Sequence, residues 1–190
     1  MPVTVLHFVY VWPILRRLND NRLVLVIGCM IPDLEIPLLA LMGYTIPRGI
    51  AHSIIGALTI DSFITLVIAK LFYSIKKVKE ILGINDRLNT SLFYSWMIAS
   101  IGALTHVSID YLHHTYNPIL WPFSYEYIEG PLTTLLDYTN ATIMLHVISL
   151  AILIMIIAYS LTRLKVSLWK LLSSPKLLYR VIVEPDSRIL

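Results

Sequence analysis

Apolar residues occur along this chain in long blocks, with no strand-like alternation. Four blocks, roughly 22–43, 50–73, 91–112 and 137–162, each offer about 20 mainly apolar residues, the length a helix needs to cross a ~30 Å hydrocarbon core. A shorter block, 3–15, is broken only by Thr4, His7 and Pro13. Polar stretches separate the blocks. Arg16, Arg17, Asn19, Asp20, Asn21 and Arg22 form one turn, Gly43 to Gly49 a second, and a basic loop holds Lys70, Lys76, Lys77, Lys79 and Arg87. Loop 113–136 contains no Lys or Arg but carries Glu126 and Glu129. Within block 23–42 the run Pro32-Asp33-Leu34-Glu35-Ile36-Pro37 places two prolines and two acids in apolar surroundings. A helix there is expected to kink or break.

Composition turns this pattern into a membrane protein. Of 190 residues, 57% are hydrophobic and 14% charged, with a mean hydropathy of +0.74, whereas a soluble domain carries about a quarter charged residues. The expected fold is all-α: a polytopic transmembrane helical bundle of about five membrane segments, the first one short. It would occupy residues 1–165 as one domain, followed by a basic tail, 166–190. The formal charge of +3 comes from basic residues beside apolar segments, which sets topology; nucleic-acid binding is not expected. With Arg16/Arg17/Arg22, loop 70–87 and the tail in the cytoplasm, an odd number of crossings is required. The N-terminus then lies outside and 3–15 is a crossing. The alternative is four crossings with an interfacial N-terminal helix. The tail reads either as a basic amphipathic surface helix or as a solvated extension. No basic stretch precedes the first apolar run, so a cleaved signal peptide is not expected. The single cysteine, Cys29, reads as a buried packing residue, and Tyr and Trp within 116–127 as an interfacial belt.

The candidate chemistry lies in six histidines, His7, His52, His106, His113, His114 and His146, and in Asp33, Glu35, Asp61, Asp110 and Asp137. Such groups cost a few kcal/mol each inside hydrocarbon, so they need pairing, water or a bound ion. A rise of 1.5 Å per residue puts His7 roughly 13 Å and Asp33 roughly 16 Å above the turn at Arg16–Arg22. His52 opens its segment at the outer side, and His106 and Asp110 lie near the outer end of theirs. Four segments thus contribute to one layer. His106 and Asp110 are spaced i, i+4, on one helix face. Imidazole with carboxylate suits Zn, Mn or Fe, and such an ion activates water. His7, Asp33, His52, His106 and Asp110 are the candidate metal ligands. Taken singly, His113, His114 and His146 read as packing or hydrogen-bonding residues, although His114 is alternatively a further ligand or a general acid. Asp61 and His146, deeper, either pair with each other or continue a proton path. Arg48 is either an interfacial anchor or an anion-binding group.

At these residues the chain resembles an uncharacterised family of prokaryotic membrane proteins. That family is related to the predicted membrane-bound metal-dependent hydrolases, whose bacterial members include a LexA-regulated inner-membrane protein. The resemblance rests on MPVTVLHFVYVWPILRR, LVIGCMIPDLE, AHSIIG and IGALTHVSIDYLHH, within residues 1–115; residues 116–190 match loosely, through Trp121-Pro122-Phe123. It implies a polar set drawn from His7, Asp33, Glu35, His52, His106 and Asp110, and a likeness to zinc-dependent phospholipase C. Where relatives carry His-Arg-Gly this chain has Pro47-Arg48-Gly49, and Glu35 stands where they often have Asp.

The leading expectation is a metal-dependent hydrolase in the inner membrane, C-terminus cytoplasmic, acting on a phosphoester of a lipid or lipid-linked substrate. One or two zinc-like ions would be held by the five candidate ligands. Glu35 or His114 would serve as acid or base, and Arg48 would steady the phosphate. The alternatives are a metal-ion or proton transporter using the same ligands and a structural protein whose polar cluster fixes helix packing.

Overall fold

The computed structural model describes residues 4–46 and 48–185, so Pro47 lies outside the described residues. It is helical, with no strand among those residues; a lone antiparallel bridge joins Asn117 and Ile128. A 3-10 turn, Thr4–His7, runs into α1 (Phe8–Leu15). Helix α2 (Arg22–Gly28) is followed by a 3-10 turn, Ile31–Leu34, and α3 (Glu35–Leu41). A 3-10 turn, Ile50–His52, precedes α4 (Ile54–Ser74). Then come α5 (Lys76–Leu82), α6 (Leu92–His113), α7 (Pro131–Leu164), α8 (Leu168–Leu172) and α9 (Pro175–Ile182).

Three helices, α4, α6 and α7, are long and apolar enough to cross a membrane, and α2 with α3 makes a fourth span if the bent pair is counted as one. The bend of 45° has the cause anticipated from the sequence. Pro32 lacks an N–H, and its ring would strike the carbonyl four residues back, at Gly28, where α2 ends. The N-terminal run does not reach the length of a span. Thr4–Leu15 is about 18 Å long at the α-helical rise, and Phe8, Val9, Val11 and Leu15 are buried in the bundle core.

Helix α6 is central, packed on α2, α4 and α7. Small residues let α2 come close. A Cβ on Gly102 would lie 2.6 Å from the Leu25 carbonyl oxygen, and one on Gly28 would lie 2.7 Å from that of Ala99. Close approach of this kind is the usual basis of helix association where hydrocarbon removes the hydrophobic drive. Helix α4 opens with Ser53 accepting from the Gly56 N–H at 2.9 Å, then widens into a π-helical turn, Ala57–Asp61. Two carbonyls in that turn find side-chain donors: Ser62 Oγ donates to Ala57, and Trp96 Nε1 to Leu58 at 3.0 Å. Helix α7 breaks at Asp137 (φ 63°), whose carboxylate accepts from Asn140 N at 2.9 Å. This acid is an exposed cap.

The end of the chain packs back on the bundle. Trp12 Nε1 donates to the Val181 carbonyl at 3.0 Å, and Leu171, Tyr179, Val181 and Val183 join the main core. Glu184 accepts from the backbone N–H groups of Asn85 and Asp86. Asp86 accepts in turn from the Leu23 N–H at 3.0 Å and from the Tyr73 hydroxyl.

Candidate metal centre

The cluster forms where the turn Thr4–His7, the break Ile31–Leu34, the turn Ile50–His52 and the C-terminal half of α6 meet. The Pro32 bend frees Asp33 to face inward, and α6 presents His106 and Asp110 one turn apart. Each has at most 1% of its surface exposed. Asp110 is the hub. Its Oδ2 lies 3.4 Å from His106 Nε2 and 3.8 Å from His52 Nε2. Asp33 Oδ1 lies 3.4 Å from His106 Nε2 and 3.6 Å from His52 Nε2. One ligand atom from each of Asp33, His52, His106 and Asp110 can be chosen so that all lie within 4.8 Å of one another. This buried set can hold a metal ion.

Two backbone-anchored hydrogen bonds decide which imidazole nitrogens are available. His106 Nδ1 donates to the Cys29 carbonyl at 2.8 Å, and His52 Nδ1 donates to Glu35 Oε2 at 3.1 Å. A carbonyl and a carboxylate only accept, so the proton sits on Nδ1 and the Nε2 lone pair points inward. Neither Nε2 makes a hydrogen bond; each faces carboxylate oxygens. Lone pairs aimed at anions in a buried site repel unless a cation or proton lies between them. Outward Nδ1 bonds that fix the inward tautomer are the usual support of a metal-ligating histidine.

Glu35 is committed behind His52. It accepts from the Gly49 and Ala51 N–H groups at 2.8 and 3.2 Å as well as from His52. A Cβ at position 49 would lie 2.8 Å from Glu35 Oε1 and would push the carboxylate aside. His7 stacks on His106 with ring centroids 4.0 Å apart, and its Nε2–H donates to Asp110 Oδ1 at 3.3 Å. It stands beside the four-residue set. Arg48, buried, donates to Asp110 Oδ2 through Nη2 and to Asn117 Oδ1 through Nη1 at 3.4 Å. Asp61 is buried in the π-helical turn, and His146 donates Nδ1 to the Thr142 carbonyl of its own helix at 2.7 Å. A cavity of about 380 Å³ adjoins the cluster, lined by Arg48, His114, Ile36, Ile46, Tyr116 and Tyr138.

Residues 2–178 match the family model described as YdjM inner membrane protein. The chain belongs to the YdjM inner membrane protein family. No curated protein and no solved structure matches it. The family match covers every residue of the cluster.

Sequence reading placed His7, Asp33, His52, His106 and Asp110 in one layer, and the structure brings all of them into one cluster. It missed three supports: the Cys29 carbonyl, Asn117, and His113, which with His114 and Asp110 forms a second group of potential ligand atoms. The Cys29 carbonyl has no sequence signal. His113 did have one, its i+3 spacing from Asp110.

Proposed function

We propose that this YdjM-family protein is a metal-dependent hydrolase of the inner membrane, acting on a phosphoester of a lipid or lipid-linked substrate. The observation that carries this reading is the pair of buried Nε2 atoms, on His52 and His106, aimed at Asp33 and Asp110 with their protons held on Nδ1. Three carboxylates gather here, Asp33 and Glu35 against His52 and Asp110 against Arg48, and Arg48 is the one guanidinium among them. A divalent cation offsets the excess negative charge, and imidazole with carboxylate favours zinc, manganese or iron. Bound there, such an ion supplies Lewis acidity and a water of lowered pKa.

The chain's own residues divide the remaining work. Asp33, His52, His106 and Asp110 hold the ion; Glu35 orients His52, and His7 orients Asp110. Arg48 offers its cavity-facing edge to a phosphoryl oxygen, as a guanidinium does for planar anions. The cavity beside Arg48 has apolar walls, which suits an ester carried on a lipid. Helices α4 and α6 carry the cluster at one end and the Lys70–Arg87 region at the other. With that basic side in the cytoplasm, the cluster lies in the outer half of the bilayer, and Thr4–Leu15 runs from the cluster back to the basic turn.

The test is elemental analysis of the detergent-purified protein together with metal-dependent cleavage of a chromogenic phosphodiester. Near-stoichiometric metal and an activity lost in Asp110→Asn are expected. A metal-free wild type that binds no added zinc or manganese rules the reading out. A second reading, ion or proton transport, draws on Asp61, a carboxylate buried within α4. Flux in proteoliposomes that depends on Asp61, without hydrolysis, would favour it.

A further inference from the structure

We infer that Asp110 bridges two metal ions, the second held by His113 and His114 at the mouth of the cavity. This rests on the reading of the cluster as a metal centre and adds a site to it. Helix α6 carries His106, Asp110 and His113, at i−4, i and i+3 relative to Asp110, spacings that share one helix face, and His114 follows directly after its last residue. The two oxygens of Asp110 serve different sides. Oδ2 faces His106, His52 and Arg48, while Oδ1 faces His7 at 3.3 Å and His114 Nε2 at 3.9 Å. A carboxylate whose oxygens address separate nitrogen sets has the disposition of a bridge between ions, typically about 4 Å apart.

The second group is built to the same pattern as the first. His113 is wholly buried and donates Nδ1 to the Ile109 carbonyl at 3.0 Å, leaving its Nε2 lone pair free. His113 Nε2 and His114 Nε2 are both buried and take part in no hydrogen bond. Ligand atoms from Asp110, His113 and His114 lie within 4.8 Å of one another.

The backbone is shaped to turn His114 into this position. Helix α6 ends at His113, and His114 is extended (φ −104°, ψ 147°). Its N–H still donates to the Asp110 carbonyl at 3.1 Å, and its carbonyl accepts from Gly130 N at 2.9 Å and Asn117 Nδ2 at 2.7 Å. Gly130 can lie there only because it lacks a side chain; a Cβ would fall 2.2 Å from the Tyr111 carbonyl oxygen.

The two positions differ in access. The first draws on four protein groups and the second on three, the number that leaves a coordination position open. His114 and Arg48 also line the cavity, whereas Asp33, His52 and His106 do not. The second ion is therefore positioned to meet a substrate entering the cavity, beside the first.

The test loads the full-length detergent-purified chain with Mn(II) or Zn(II) and counts equivalents per protein. Wild type is expected to hold two, and His113→Gln and His114→Gln one each. Manganese in wild type should give the electron paramagnetic resonance signature of an exchange-coupled pair, reduced in both variants to that of an isolated ion. The wild-type count and spectrum need no variant, so a substitution that fails to fold does not blunt the test. One equivalent in wild type, uncoupled and retained in both variants, overturns the second site and leaves the single-ion reading standing. No metal in wild type overturns both.

Discussion

His106 donates its Nδ1 proton to the backbone carbonyl of Cys29 at 2.8 Å, where α2 and α6 come closest. Gly102, one turn before His106, makes that approach possible: a Cβ there would meet the Leu25 carbonyl oxygen at 2.6 Å and the Cys29 nitrogen at 3.0 Å. Gly102→Val is expected to part the helices and break the His106 anchor. Overpacking of this kind costs about 1–3 kcal/mol, and the stabilisation conferred by metal should fall with it. Thermal unfolding in detergent, with and without added zinc, reads both effects. Wild-type melting and a wild-type response to zinc in Gly102→Val would refute this role.

Glu35 holds His52 from behind while also accepting two backbone N–H groups. Glu35→Gln keeps the size and one acceptor but weakens the grip on Nδ1–H. Loss of such a support lowers metal affinity roughly 10–100-fold. Competition with a chromogenic chelator measures this directly, and circular dichroism should show an unchanged helix content. Unaltered affinity would place Glu35 outside the support of the site.

Chelation should lower the melting temperature. A ligand at about 1,000 times its Kd stabilises by roughly 4 kcal/mol. The effect has a defined pH direction, because inward nitrogens must be free of protons to ligate. The difference between metal-loaded and chelated melting should therefore be present near neutral pH and vanish on acidification below about pH 6, where imidazoles ordinarily gain protons. A difference that persists unchanged at pH 5 would argue against imidazole ligation.

Asp86 supplies the opposite sign. Burial holds its carboxyl above the usual range, against hydrogen bonds from Leu23 and Tyr73 that favour the charged form, and Glu184 adds repulsion. The folded state therefore binds this proton more tightly than the unfolded chain. Its contribution is complete below the ordinary carboxylate pKa of about 3.9 and is lost as pH rises through the raised folded value. Metal-free protein should lose part of its stability across that interval, and Asp86→Asn should flatten the dependence. Parallel pH–melting curves for the two proteins would contradict this.

Much of the site was legible because membrane burial makes polar residues conspicuous. His7 and Asp33 could be given a depth by counting helical rise from the arginine turn, and His52, His106 and Asp110 by their place at the outer ends of their segments, and the five do converge. The count of segments was less legible. Hydropathy measures how apolar a run is, not where it packs, so 3–15 resembled a crossing although α1 is short and buried. The pairing considered for Asp61 and His146 came from depth alone; Asp61 is buried in the π-helical turn, and His146 donates to the Thr142 carbonyl. Loop 113–136 concealed the most, since the turn at His114 depends on Gly130 passing over the end of α6.

The sequence by itself determined that the protein is helical and membrane-embedded, that its helix breaks near Pro32, and which polar residues share a layer. Those properties follow from local rules: the length of an apolar run, the missing N–H of proline, and a fixed rise per residue. Tertiary structure alone decided which nitrogen of each histidine is free, that Glu35 stands behind His52, and that the two oxygens of Asp110 face different partners. Each depends on a donor or acceptor brought from a distant part of the chain, such as the Cys29 carbonyl at His106, and no local pattern encodes such a contact.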